Sequence, residues 1–198
     1  MKKLITILTL VCLSLCLFAG CKDAEIDKTS GKHHVEIEIR DYGTITVELD
    51  ADAAPITVEN FLTLAESGFY DGLTFHRIME GFMMQGGDPD GDGFTDPDQK
   101  TIQGEFAANG VANHLSHTRG AISMARNSIS MDSASSQFFI CHQDAVFLDG
   151  QYACFGYVTE GMDVVDAICE YSSTVVIDGN GTVPAEYQPV IVEVRVMD

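Results

Sequence analysis

The residues able to do chemistry concentrate in a few segments. Phe75-His76-Arg77-Ile78 sets a histidine beside an arginine, and on a regular strand the two point to opposite faces, so one site cannot use both. Taken alone, Arg77 reads as a surface residue in an ion pair and His76 as structural support. Asp88-Pro89-Asp90-Gly91-Asp92-Gly93-Phe94-Thr95-Asp96-Pro97-Asp98-Gln99 has the D-x-D-x-D-G spacing of a calcium loop, with Gln99 where the closing Glu belongs. No helix precedes it. A solvated turn is therefore the first reading, and weak calcium binding through Asp88, Asp90, Asp92 and Asp96 the second. Asp178-Gly179-Asn180-Gly181 is a fainter echo of the same pattern and reads as a turn. Cys141, Cys154 and Cys169 have neither C-x-x-C nor Cys/His metal spacing and are expected to be buried thiols acting as small hydrophobes. There is no G-x-S-x-G elbow, H-E-x-x-H, P-loop or dinucleotide fingerprint, so the familiar hydrolase and nucleotide chemistries lose support.

The arginine gains meaning from its neighbours. Phe75-His76-Arg77-Ile78 runs into Gly81-Phe82-Met83-Met84-Gln85-Gly86-Gly87-Asp88, and Ser136-Gln137-Phe138-Phe139-Ile140-Cys141 runs into Phe147-Leu148-Asp149-Gly150. Both resemble cyclophilin signatures. The resemblance spans about residues 34 to 198, with Ser116-His117-Thr118-Arg119-Gly120 and Ser123-Met124-Ala125 in matching order. It implies a peptidyl-prolyl cis/trans isomerase that acts on proline-containing polypeptides and needs no cofactor. Such a reaction makes and breaks no covalent bond, so neither nucleophile nor base is required. The amide barrier is about 18–20 kcal/mol and the unaided process takes tens of seconds; millisecond turnover requires roughly 5–6 kcal/mol of differential stabilisation. Electrostatics and shape must supply it. As the amide twists, its nitrogen recovers a lone pair, to which a fixed guanidinium can donate only in the twisted state.

Carried over by that resemblance, Arg77 matches the family's catalytic arginine, with Gln85 beside it. Phe82, Met83, Phe139 and Leu148 would receive the proline ring. Gln85 and Gln137 would hold the substrate backbone and the arginine, and Ala125, Arg126, Phe147 and Tyr152 would complete the groove. Gln137 and Phe139 share strand parity, as one site-facing surface requires; Phe82 and Met83 do not, and that pair rests on the resemblance alone. Phe147 stands where well-known members carry tryptophan, Tyr152 where they carry histidine, and Arg126 where asparagine is common. Altered substrate preference and weaker binding of cyclosporin-type inhibitors are therefore expected. The rival reading is a module that holds proline-containing segments as a chaperone or scaffold without turnover.

These residues need a frame. Val35, Ile37 and Ile39 alternate with polar residues, as do Ile45, Val47 and Leu49 after Asp41-Tyr42-Gly43, which predicts a hairpin with one buried face. Pro55 opens a stretch in which Val58, Phe61, Leu62 and Ala65 share a helix face, and Gly68 stands where it would stop. Strands are expected at 75–79, 82–86, 120–125, 137–141 and 154–158, a second helix at 162–170, and a last strand through Val190, Val192, Val194 and Val196. Together they suggest a mainly β domain, which periodicity alone does not separate from an α+β sandwich; the resemblance implies a closed eight-stranded antiparallel barrel capped by two α-helices.

The N-terminus predicts where the domain works. Lys2 and Lys3 precede an apolar run from Leu4 to Phe18, which is a signal-peptide layout too short to span a bilayer. Phe18-Ala19-Gly20-Cys21 is similar to a bacterial lipobox, with Phe18 where leucine is usual. The expected organisation is a signal peptide and lipobox at 1–21, a polar tether at 22–32 and one domain at 33–198. Cys21 would carry the lipid, since two acyl chains give stable anchoring where one does not. The protein is thus expected to be extracytoplasmic, tethered to a bacterial membrane and monomeric. Beyond Lys22 the chain has 8 basic against 30 acidic side chains, which excludes nucleic acid as a natural partner.

Overall fold

The computed structural model describes residues 27–94 and 99–198. Eight strands and two helices follow the order β1 (Lys32–Ile39), β2 (Gly43–Asp50), α1 (Pro55–Glu66), β3 (Thr74–Met79), β4 (Met83–Asp88), β5 (Ala121–Met124), β6 (Phe138–Cys141), β7 (Cys154–Glu160), α2 (Met162–Ser172) and β8 (Ile191–Val196). All pairings are antiparallel, in the spatial order β3-β4-β6-β5-β7-β2-β1-β8. The β1–β2 hairpin has Val35 opposite Val47 and Ile37 opposite Ile45, so the alternation read from sequence puts one apolar face inward.

The expected closed barrel is corrected to an open, curled sheet. The end strands β3 and β8 meet only at the bridge between Thr74 and Val190 and through backbone hydrogen bonds involving Gly72, Leu73, Phe75, Pro189 and Ile191. The cause is the chain between α2 and β8. Residues 181–183 dock on the rest of the free edge of β3, where Ile78 N donates to Gly181 O and Val183 N donates to His76 O. That edge is satisfied by a loop instead of a strand, which meets the same need to cover unpaired backbone groups.

Inside the curl, α1 lays Val58, Phe61, Leu62 and Ala65 on the sheet. The Phe61 ring meets Tyr70, Phe138 and Phe155 at centroid distances of 5.1–5.4 Å. No residue next to α1 caps its N-terminus by a side chain. Glu105 does so from a distant loop, accepting hydrogen bonds from Ile56 N, Thr57 N and Thr57 Oγ1 at 2.7–3.1 Å. A buried carboxylate at a helix N-terminus satisfies two orphan donors and opposes the helix dipole. Helix α2 is preceded by Gly161, at φ 87°, where a Cβ would collide with the Thr44 carbonyl.

The outer face of β4, β5, β6 and β7 carries a second, smaller apolar cluster of Met83, Ala121, Phe139, Cys141, Ala145 and Cys154. Strand alternation divides the labour: Phe138 and Ile140 enter the core while Phe139 and Cys141 face the other way. Residues 27–32 are also fixed to the domain. Lys28 pairs with Glu66, Gly31 N donates to Asp52, and Lys32 pairs with Asp50.

Candidate active site

The small cluster is the floor of a groove. Arg77, Phe82, Met83, Gln85, Ala125, Arg126, Phe139, Leu148 and Tyr152 surround one cavity of about 200 Å³. That is below the roughly 300–1,000 Å³ of a pocket for a drug-sized ligand, and suits one small ring or side chain. Phe139 is held by its neighbours: the His117 ring stacks on it at 6.0 Å and 16°, and Tyr152 meets it edge-on at 6.0 Å.

Arg77 reaches this cavity because β3 is not regular. The register shifts between Phe75 and Arg77, so that Phe75 and Ile78 both enter the core while Arg77 and Met79 face the groove. A β-bulge re-aims a side chain in this way. Arg77 Nε donates to Asn180 O at 2.8 Å, Nη1 donates to Gln85 Oε1 at 3.2 Å, and Nη2 lies 3.3 Å from Met79 Sδ. Gln85 Nε2 donates in turn to Gln137 Oε1 at 2.9 Å, and Gln137 Nε2 to Phe94 O at 2.8 Å. Burial lowers the Arg77 pKa from its usual value, though a guanidinium keeps its proton at any ordinary pH. Among the described residues the arginine ion pairs are Arg119 with Asp166 and Arg195 with Glu36 and Glu193; Arg77 meets no carboxylate. Its charge is fixed in place with no carboxylate in contact, Asp178 acting on it only through space.

Nearly all the sequence-predicted groove residues thus converge. Phe82 and Met83, whose parity conflicts, both arrive because β4 begins at Met83 and Phe82 lies in the preceding turn, its N–H bonded to Met79 O. Two residues stand apart. Gln137 lines an adjoining cavity with Gln85, and Phe147 is 64% exposed, packed on Phe82 at 5.6 Å outside the cavity lining. His76 is buried behind the bulge, and neither ring nitrogen has a hydrogen-bond partner among the described residues. Cys21 and Asp96 lie outside the described residues. In the acidic loop Asp88 Oδ2 accepts from Asp92 N and Gly93 N, and Asp92 Oδ1 accepts from Phe94 N, so these aspartates cap their own turn. Among the described residues no three His, Cys, Asp or Glu side chains gather as a metal set.

Sequence reasoning missed the Asn180 carbonyl. The Asp178-Gly179-Asn180-Gly181 turn was legible as a turn, but its docking on β3 was not. Gly181, at φ 83°, lies against Ile78 so closely that a Cβ would strike the Ile78 carbonyl, and only glycine lets the loop reach Arg77.

Nucleophilic chemistry finds no support in this geometry. Ser123 Oγ lies 3.0 Å from His117 Nε2, and His117 Nδ1 lies 2.8 Å from Asp149 Oδ1, the distances of a serine nucleophile, its base and an orienting carboxylate. Both Ser123 and His117 are wholly buried, and Ser123 sits mid-sheet between Phe139 and Cys154. No substrate carbonyl can reach that hydroxyl; the trio instead fixes the His117 ring on which Phe139 stacks. Cys141, Cys154 and Cys169 are buried free thiols, each pushed up to about 12 by burial, so they are not thiolates at neutral pH.

A pocket walled by Phe82, Met83, Phe139 and Leu148 beside a fixed guanidinium, with no serine, threonine or cysteine in its described lining, belongs to the class of sites that bind and reshape a peptide without cutting it. The chain belongs to the cyclophilin-type peptidyl-prolyl cis-trans isomerase/CLD family, whose model matches residues 34–196. It is 45% identical over 133 residues to peptidyl-prolyl cis-trans isomerase A of Dickeya dadantii, spanning 65% of this chain and 67% of that protein. It is 46% identical over 125 residues to peptidyl-prolyl cis-trans isomerase B of Bacillus subtilis, spanning 63% and 82% respectively. Among solved structures, it is similar to a cyclophilin type isomerase of Cryptosporidium parvum crystallised in the presence of the dipeptide Ala-Pro. That match has a TM-score of 0.69 and 27% identity, covering 83% of this chain and 99% of the other. The activity is peptidyl-prolyl cis/trans isomerisation.

Proposed function

We propose that Arg77 carries this isomerisation and that the clients are proline-containing segments of exported proteins. The single observation behind the assignment is a guanidinium with no contacting carboxylate, fixed at the edge of a cavity walled by Phe82, Met83, Phe139 and Leu148. Phe82, Met83, Phe139 and Leu148 seat the proline ring, which anchors one side of the amide. Gln85 holds Arg77 Nη1 and is itself held by Gln137, so the guanidinium is aimed before substrate arrives. As the amide twists and its nitrogen pyramidalises, Arg77 donates to the recovered lone pair. The planar ground state has no such acceptor, so the interaction lowers the barrier without tightening ground-state binding. Ala125, Arg126, Gln137 and Tyr152 contact the chain on either side. Cyclosporin-type ligands bind less tightly than to relatives with tryptophan, because Phe147 offers no ring N–H. Cys21 lipidation holds the monomer on the extracytoplasmic face of a membrane.

The test is exchange spectroscopy on an X-Pro peptide with the purified protein. Arg77→Ala is expected to cost about 100- to 1,000-fold in rate, the usual loss when one transition-state donor is removed, with an unchanged circular dichroism spectrum. Arg77→Lys should also be poor, since an ammonium lacks the planar fork. An Arg77→Ala protein as active as the parent would overturn the role of Arg77. Peptide binding without any acceleration would favour the scaffold reading.

A further inference from the structure

Arg126 has a use that proline chemistry does not require. With Gln85 and Ala125 it lines both the proline cavity and a smaller one of about 80 Å³, whose lining is completed by Gly93, Asn127, Ser133, Ser135 and Gln137. The guanidinium is pinned: it lies 4.7 Å from the Tyr152 ring centroid and 5.3 Å from that of Phe106. Nε donates to Gln151 O and Nη1 to Asn127 O, both at 2.9 Å. Of its five N–H groups these bonds use two. Among the described residues it pairs with no carboxylate, and neither cavity has an acidic residue in its lining.

Most other polar groups of the small cavity are already engaged, and among the described residues only the Ser135 hydroxyl and Asn127 Nδ2 are left as neutral donors. Asn127 Oδ1 accepts from Ile129 N and Ser130 N, while Ser133 Oγ donates to Ser130 O and accepts from Asn127 N. The one charged group on offer in the lining is a preorganised cation with a free donor edge, beside a recess too small for a large aromatic side chain. An extended peptide advances about 3.3 Å per residue, so a chain with its proline in the larger cavity reaches the smaller one within one or two residues.

We propose that Arg126 is a specificity-determining residue that favours clients bearing an aspartate or glutamate one or two residues from the proline. This deepens the isomerase reading and rests on it. A carboxylate seated there forms a charge-assisted hydrogen bond to a guanidinium whose ordering is already complete, so little entropy is lost on binding. The chain's formal charge of −19 repels an acidic peptide at long range, so discrimination arises at contact. Measurement at about 0.15 M salt, where the Debye length is about 8 Å, isolates that contact term.

The experiment compares kcat/KM of the full chain on matched proline peptides with Glu, Gln or Lys at each position from two before to two after the proline. At one position Glu is expected to exceed Gln by about three- to tenfold, with Lys below both. The Glu/Gln ratio, which is independent of any general loss of activity, should fall to near one in Arg126→Gln and invert in favour of Lys in Arg126→Glu. Arg126→Lys should keep part of it. A ratio of one at every position in the parent protein, or a preference that survives Arg126→Gln, would overturn the proposal. If neutral peptides are still accelerated, the failure is of Arg126 alone; if no peptide is accelerated, the isomerase assignment of the groove fails first.

Discussion

At the scale of single residues, the groove depends on groups held in unfavourable states. Arg77 is kept half-buried with no carboxylate in contact, and two histidines are buried as neutral rings. Burial lowers the pKa of His76, with Asp88 acting the other way, and lowers that of His117, where Asp149 partly offsets the effect. Both folded-state values lie below the usual 6.5, so at low pH the unfolded chain binds protons that the folded chain refuses. Stability is therefore fully present above about pH 6.5 and lost as pH falls below it toward the folded pKa values, each histidine contributing up to about 1.4 kcal/mol per pH unit. Denaturant titrations between pH 7.5 and 5.5 should show this slope before most carboxylates protonate. His76→Phe should leave only the part due to His117. A stability that is flat across that interval would mean that neither ring is held neutral.

At the scale of elements, the site is built from a defect and a loop. The bulge in β3 turns Arg77 outward, and the segment docked on β3 supplies the carbonyl that fixes its Nε. That turn is tied by Asp178, which accepts from Asn180 N at 2.9 Å, Thr182 N at 3.1 Å and Thr182 Oγ1 at 2.8 Å. Asp178 is exposed and touches no substrate; it acts through Asn180 and Arg77 as a positioning residue. Asp178→Ala should loosen the guanidinium and lower kcat by up to about 100-fold, the loss that a misplacement of about 1 Å can bring, with KM little changed. Asp178→Asn keeps an acceptor oxygen and should restore most of the loss. Equal kcat in Asp178→Ala and the parent would show that Gln85 and the methionines suffice to aim Arg77.

At the scale of the molecule, an acidic domain of formal charge −22 beyond Lys22 stands off anionic surfaces unless something holds it there. Among the described residues no helix is long and apolar enough to cross a membrane. The proposed holdfast is a lipid on Cys21. Full-length protein expressed in a bacterium should fractionate with membranes and incorporate labelled fatty acid, and Cys21→Ala should abolish both. Continued acylation of Cys21→Ala would refute the site, and an unlabelled parent protein would point to ordinary secretion.

By itself the sequence determined the elements and most of the groove. Alternation placed β1, β2 and β8, short apolar runs between turns placed the other five strands, and helical spacing placed both helices; in β8 the alternation itself failed, since Ile191 is buried and Val192 exposed. The signature blocks around Arg77 and Phe139 determined the family. Tertiary structure alone decided that the barrel stays open, that Glu105 caps α1, that Phe147 lies outside the cavity and that Asn180 clamps Arg77. The reason is common to all four. Each depends on segments distant in the chain meeting at an edge, a helix end or a rim, where no local period records the partner. The bulge at His76 shows the same limit within one strand: alternation assumes a regular ladder, and a single extra residue breaks it.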